Sequence, residues 1–311
     1  MNILVTGGTV FASRYTAEYF QDKGHNVYVL NRGSREQSEG VTLIQADRHS
    51  LNGQLKQYHF DAVIDVTAYN KTDIQDLLDE LGEIKQYIFV SSSAVYPETN
   101  AQPFTEKQKC GVNCHWGAYG TDKIAAEEYL LARVPQAYAI RPPYLYGKMN
   151  NLYREAFVFD CAEKDRKFYL PKEGSMPLQF FDIEDMCRFI EILLAEKPEQ
   201  HVFNVGNPGT VTIKEWAQCC YKALGKEPNR YRCSAEAMCR RIAKERGLYY
   251  INNVVDINNY LSIKSGYSMG TYDLEQTEGD ITWMRAPEGT AYQGIGKDVL
   301  NIEFLPALFD A

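Results

Sequence analysis

"NILVTGGTVFASRYTAEYFQDKGHNVYVLNRG", residues 2–33, decides the fold. A β-branched apolar run breaks at Gly7 and Gly8, a segment with apolar residues at helical spacing follows, and a second such run ends "VLNRG". The rhythm repeats: "VTLIQAD", "DAVIDVTA", "QYIFVSSS" and "AYAIRPP" read as strands, and "TDIQDLLDELGEI" as a helix. Strand-helix alternation with near-continuous apolar strands predicts a parallel sheet covered on both faces. The fold class is therefore α/β, a doubly wound Rossmann-like sheet, and its ligand crevice lies off the carboxyl ends of the strands. Each strand-end residue points toward one site.

A dinucleotide-binding domain is expected over residues 1–165, with 182–222 returning to it through the helical "FFDIEDMCRFIEILLAE" and the strand "HVFNVG". The rest of 166–311 is richer in Tyr, Asn and charge, with weaker periodicity, and is expected to form mainly a smaller substrate-binding lobe over the crevice. Without repeats or a low-complexity linker, the two lobes are expected to interleave.

The chain has 311 residues, 45% of them hydrophobic, enough for one large core or two joined ones. A net charge of −8 argues against a polyanion as main partner, so nucleic acid is not expected. No signal-peptide pattern precedes "ILVTGG" and no apolar run approaches the roughly 20 residues of a membrane span, so the expected location is cytoplasmic. The eight cysteines are expected as reduced, buried thiols. Neither Cys110–Cys114–His115 nor Cys219, Cys220, Cys233 and Cys239 has C-x-x-C spacing, so no metal site is expected.

A phosphate-cradling loop of this kind reads T-G-x-x-G-x-x-G. Thr6 and Gly7 fit, but Val10 and Ser13 occupy the second and third glycine positions. The second glycine normally lets backbone approach a pyrophosphate, and the third lets helix pack on sheet. From Thr9 through Val10 to Phe11 the helix start still offers free N–H groups and a positive dipole end. Two readings stand, a cofactor cradle and a plain strand-turn-helix. The next strand ends in Asn31 and Arg32, with Arg35 beyond, where an NAD site usually carries an acid. The arginines suit a 2′-phosphate, or are simply exposed on a turn. In "QADRHS", beside Arg48, Asp47 can accept from an adenine amino group or cap the following helix. Thr67 and Ala68 end the fourth strand and point to the same crevice.

Four Y-x-x-x-K pairs occur, at Tyr19, Tyr119, Tyr144 and Tyr260. Only Tyr119 follows a serine-ended strand and opens an amphipathic segment, "KIAAEEYLL", where one helical turn sets Tyr119 and Lys123 on one face. With "VTGG", "SSSAVY", "IRPPYLYG", "FFDIEDM" and "FNVGNPGTVTIKEWA", residues 1–215 resemble the extended short-chain dehydrogenase/reductase family, in its NAD(P)-dependent epimerase/dehydratase branch.

The resemblance implies Tyr119 as general acid/base, Lys123 lowering its pKa and bonding a nicotinamide ribose, and Ser92 holding the reacting oxygen. It implies NADP or NAD as cofactor, NADP preferred, with Pro142 and Tyr144 joining the residues above around it. Substrate contacts are expected from Ser93, Tyr144, Asn151, Arg154 and Gln179, on a small molecule such as a sugar or nucleotide sugar. A homodimer is expected through the helices after Pro97 and at Tyr119.

Two departures bear on the reaction. Dehydratases of the branch carry Asp-Glu after the active hydroxyl residue, whereas Ser93 and Ala94 stand here, which disfavours dehydration and leaves epimerase or simple reductase. Nucleotide-sugar epimerases place an arginine where Leu178 falls, and a histidine where Asp182 falls, so the usual diphosphate grip is missing. The "GGTxF" loop and Gln179 also resemble the branch containing chloroplast stem-loop-binding proteins, which keeps open an RNA-binding or catalytically silent NADP(H)-sensing role.

Overall fold

Residues 1–164, 166–224, 238–239, 241–242, 245, 247–248, 250, 252–265, 269–272, 275, 277–293, 299–304 and 306–310 are described by the computed structural model. Successive strand residues leave for opposite faces, and the first strand, β1 (Asn2–Thr6), shows the consequence. Its Ile3 and Val5 enter one buried cluster and Leu4 another.

Six further strands join β1 in a parallel sheet: β2 (Asn26–Asn31), β3 (Thr42–Gln45), β4 (Ala62–Asp65), β5 (Gln86–Val90), β6 (Ala137–Arg141) and Val202–Asn204. The spatial order is Val202–Asn204, β6, β5, β4, β1, β2, β3. Every residue of β4, β5 and β6 is buried, as strands covered on both faces require. Helices α1 (Phe11–Asp22) and α5 (Ile183–Glu196) pack together and contribute Phe20, Ile190 and Leu193 to the first cluster. Helices α2 (Lys71–Glu80) and α3 (Ala118–Arg133) pack together and contribute Ile74, Leu77, Ala126 and Leu130 to the second. The order reverses between β1 and β4, and at such a switch point the loops after the strands part to leave a crevice.

Between β6 and α5 lie β7 (Tyr144–Tyr146), α4 (Glu155–Glu163), β8 (Pro177–Leu178) and β9 (Phe180–Asp182). Helix α5 is shorter than its sequence pattern: Phe180 and Phe181 pair with Tyr144 and Leu145 across β9 and β7, and Asp182 caps the helix by accepting from Glu184 N. The remaining elements, in chain order, are β10 (the edge strand Val202–Asn204), β11 (Val211–Thr212), α6 (Ile213–Ala223), α7 (Asn253–Ser265), β12 (Thr282–Arg285), β13 (Ala291–Gln293), β14 (Val299–Asn301) and β15 (Pro306–Phe309).

The chain forms two compact units, Met1–Cys220 and Tyr221–Ala311. The first thus runs on past residue 165, because β9 pairs with β7 and α5 lies against α1. In the second unit β12 pairs antiparallel with β15, and β13 with β14. No described helix is long and apolar enough to cross a membrane.

Candidate active site

The glycine turn after β1 is tightly enclosed. Gly7 and Gly8 have φ of 90° and 88°, a region that side chains rarely adopt. A Cβ on Gly7 would meet Ser13 Oγ at 2.7 Å and Thr67 Cγ2 at 2.8 Å. Ser13, at the third glycine position, is buried and donates its hydroxyl to Val10 O at 3.0 Å, so it closes the turn that glycine would leave open. Val10 caps α1 from an extended conformation and packs its side chain against the core. Phe11 begins the helix at φ 34°, a strained value held by burial of its ring.

Asn31 is spent on this turn. Its amide donates to Gly7 O at 2.6 Å and Gln37 Oε1 at 2.9 Å, and its carbonyl oxygen accepts from Gly33 N. The side chain expected to face a ribose therefore braces the glycine loop. Arg32 and Arg35 are exposed, and no acidic side chain pairs with either among the described residues. Asp47 is exposed and accepts from His49 N at 2.9 Å, closing a local turn rather than capping a helix.

Beneath the turn, Asp65 is wholly buried. Thr6 Oγ1 and Tyr87 Oη each donate to it at 2.6 Å, and Arg48 Nη2 at 2.7 Å. Burial pushes this carboxyl up, but Arg48 and the two hydroxyls hold it below the usual carboxylate range. Arg48 Nε and Nη1 remain buried without a partner. Thr67 and Ala68 follow from the same carboxylate, since Asp65 Oδ1 accepts both their N–H groups.

The serine-ended strand and α3 meet through small residues. A Cβ on Gly120 would overlap Ala94 O, so the first turn of α3 lies directly on the turn after Ser92. That contact brings Tyr119 to Ser92. Ala94 N–H donates to Ser92 Oγ at 3.1 Å, and Ser92 lies beside the Tyr119 phenol. Burial raises the Tyr119 phenol above its ordinary value, and Ser92 opposes the rise. The expected lowering by Lys123 is not found. Lys123 is buried and gives Nζ to Ala68 O at 2.6 Å and Val90 O at 2.9 Å, lying 5.9 Å from the Tyr119 ring centroid. Desolvation brings its own pKa down to about 8, against the pull of Asp65, Glu127 and Asp73.

Behind these residues lies a buried ionic brace. Glu127, one turn beyond Lys123, accepts from Arg141 Nη2 at 2.5 Å and Nε at 3.0 Å, and the Ser91 hydroxyl also donates to it. Arg141 Nη1 donates to Tyr96 Oη at 2.6 Å, and Tyr96 to Asn204 Oδ1. Ser91 N and Ser93 N donate to Ile140 O and Pro142 O, which fastens the Ser92 segment to β6. Gly120, Glu127 and Arg141 were not singled out from the sequence. A charge ending an apolar strand at Arg141, and an acid four residues after Lys123, were the available signals.

The expected substrate residues divide. Tyr144 is exposed and stands 6.4 Å from Trp116 between ring centroids. Arg154 lies over the rings of Tyr144 and Phe180, donates to Leu145 O, and pairs with Glu155 at 2.6 Å. Gln179 is committed elsewhere, donating to Asn207 O and packing on Gly206. Asn151 is exposed, while its neighbour Asn150 bonds Glu155.

The thiols also differ from expectation. Cys161, Cys187 and Cys220 are buried, Cys110 is half-buried, Cys114, Cys219 and Cys239 are exposed, and Cys233 lies outside the described residues. Cys219 and Cys220 are adjacent on α6, and one helical step turns one toward the core and the other to solvent. Burial pushes Cys187 up to about 12 and Cys220 up to about 11.

A doubly wound sheet with a glycine turn at its switch point and a Ser–Tyr pair beside a buried lysine defines a dinucleotide-fold protein of the short-chain dehydrogenase type. Residues 3–206 match the profile of the NAD dependent epimerase/dehydratase family, and the chain belongs to that family. The resemblance read from the sequence holds. Residues 217–304 match a second profile, the B3/4 domain.

Among known proteins, the chain is 26% identical over 243 residues to the chloroplast stem-loop binding protein of 41 kDa b from Arabidopsis thaliana, a match over 72% of this chain and 63% of that protein. It is 26% identical over 162 residues to a UDP-glucose 4-epimerase from Yersinia enterocolitica, over 42% of this chain and 48% of that one. The chain thus spans less than two thirds of either relative's length. A dTDP-glucose 4,6-dehydratase from Bacillus anthracis, solved with NAD, shares the fold with a TM-score of 0.63 at 19% identity, over 74% of this chain and 83% of that one.

Proposed function

We propose that the chain is an NAD(P)-dependent epimerase acting on a sugar or nucleotide sugar at a hydroxyl-bearing carbon, with Ser92, Tyr119 and Lys123 as its catalytic set. One observation carries this reading: Ser92 lies beside the Tyr119 phenol and opposes the rise that burial gives it, with the lysine of the same helix face buried one turn on.

The residues present fit a dinucleotide. The Gly7–Gly8 turn, at φ values that favour glycine, delivers the chain to the start of α1, whose first turn offers N–H groups with no intrahelical acceptor, and Arg48 keeps two buried donors unpaired. Gly7, Thr9, Val10, Phe11, Thr67 and Ala68 would hold its phosphates and adjoining sugars, and Arg32 with Arg35 a 2′-phosphate. When bound, the nicotinamide supplies and takes back the hydride.

The proton work belongs to the chain. Ser92 Oγ already accepts from Ala94 N, which leaves its own proton for the phenol oxygen or for the oxygen of the substrate. The raised Tyr119 phenol is protonated at neutral pH, so it is set to donate to a carbonyl oxygen in the reductive half of the reaction. The oxidative half needs the phenolate, so that half accelerates as pH rises. With Ser93 and Ala94 behind Ser92, no side chain there expels water, which supports epimerisation over dehydration.

Incubation of sugars and nucleotide sugars with NADP or NAD, followed by NMR, tests the assignment. Tyr119→Phe keeps the ring and loses the titrating oxygen, so turnover should fall about 10²-fold or more. Full activity in that variant removes Tyr119 from the mechanism. Arg32→Ala should weaken NADP binding about tenfold by calorimetry while leaving NAD unchanged; equal or tighter NAD binding by the native chain refutes the NADP preference.

The stem-loop binding relative favours a second reading, in which the same fold binds RNA or senses NADP(H) without turnover. Salt-sensitive binding of an RNA hairpin, with no turnover across the sugars, would establish it.

A further inference from the structure

Beside the Ser92–Tyr119 pair runs a chain of aromatic rings. Tyr69 and Tyr119 have centroids 6.3 Å apart, Trp116 and Tyr119 6.0 Å, Trp116 and Tyr144 6.4 Å, and Tyr144 and Phe180 6.1 Å. Tyr69, Trp116, Tyr119 and Tyr144 are 57%, 44%, 37% and 40% exposed. Successive rings are tilted by 45° to 58°; Lys123 lies over Tyr69 and Tyr119, and Arg154 over Tyr144 and Phe180, whereas no described cation lies over Trp116. Trp116 is also fixed in place. Its carbonyl accepts from Tyr119 N at 3.1 Å, and its own N–H reaches Asn113 O, a buried residue that donates to Tyr96 O.

The cations along the same stretch are already matched. Arg154, the N-cap residue of α4, pairs with Glu155 in that helix's first turn, which sets a carboxylate at the dipole's positive end. Lys148 lies 3.8 Å from Glu184. Leu178 brings no charge. A diphosphate here would have to displace Glu155 from Arg154, whereas the C–H face of an uncharged ring can lie on an aromatic face at no electrostatic cost.

We propose that the substrate is an uncharged sugar or glycoside without a nucleotide, bound by stacking of its ring on Trp116, which makes Trp116 the specificity-determining residue. The proposal rests on the hydride-transfer reading of the Ser92–Tyr119 site but is tested without turnover. Trp216→Phe with Trp283→Phe leaves Trp116 as the sole tryptophan of the full chain. Its fluorescence is titrated with methyl glycosides of glucose, galactose and mannose, and separately with UDP and UDP-glucose. At least one glycoside should give a saturable change that is the same at about 50 and about 500 mM salt, while UDP gives none. In the otherwise native chain, calorimetry should show that binding about tenfold or more weaker in Trp116→Ala. Saturable, salt-sensitive binding of UDP, no response to any glycoside, or glycoside binding indifferent to Trp116→Ala each overturns the proposal. Turnover of UDP-glucose would refute it and leave hydride transfer standing. Trp116-dependent glycoside binding that no cofactor converts to turnover would do the reverse.

Discussion

The two sides of the site are built on opposite principles. On the inner side, Lys123, Ser91, Glu127 and Arg141 are buried, and their polar atoms are tied to named partners. On the outer side, Tyr69, Trp116 and Tyr144 are exposed; Tyr69 and Trp116 each touch the Tyr119 ring, and Tyr144 touches Trp116 and Phe180. Buried polar groups cost free energy unless fully bonded, so the inner side has essentially one arrangement, settled before any ligand arrives. Exposed rings carry no such demand and can be exchanged with little effect on folding. On the proposed reading, reactivity is set by the rigid side, and choice of substrate by the tolerant one.

The sharpest break of this contrast is Glu127→Ala. It leaves the Arg141 guanidinium buried without its carboxylate, which should cost about 3–5 kcal/mol in urea unfolding. A loss below about 1 kcal/mol would show that the inner side is not held as described.

Next in size is the pH dependence of Lys123→Met. With a folded pKa of about 8 and an unfolded value near 10.4, the unfolded chain binds more protons than the native one between those values. Stability of the native chain therefore rises with pH through that window, and the burden of a charged Lys123 is fully present below it. Relative to Lys123→Met, the native chain should gain about 2–3 kcal/mol from roughly pH 7 to pH 10.4. A flat difference would mean that Lys123 is not desolvated.

The smallest effect marks the other side. Trp116→Ala should alter stability by about 1 kcal/mol, because the ring is only partly buried and no buried polar group loses a partner. A loss comparable to Glu127→Ala would erase the distinction between the two sides.

The seven parallel strands were all legible as apolar runs, the glycine turn and the Tyr119–Lys123 pair from spacing, and Ser92 through the family resemblance. Less legible was where each polar atom ends. Asn31 reads as a ribose contact because it stands at a strand end, yet its amide closes on Gly7, twenty-four residues away. Gln179 reads as a substrate contact but holds Asn207. The 180–182 segment continues a helical pattern, and only its pairing with Tyr144–Tyr146 makes it a strand.

Alternating apolar patterns and the one-turn step from Tyr119 to Lys123 are local properties, so the sequence by itself determined the doubly wound fold and singled out the side chains proposed to react. The tertiary structure decided what those side chains can do. It bound the Lys123 ammonium to Ala68 and Val90 carbonyls, left the Tyr119 phenol raised by burial and facing Ser92, and matched Arg154 with Glu155. Charge state and hydrogen bonding depend on solvent exclusion and on partners brought close through space, and neither is written in the spacing of residues along the chain.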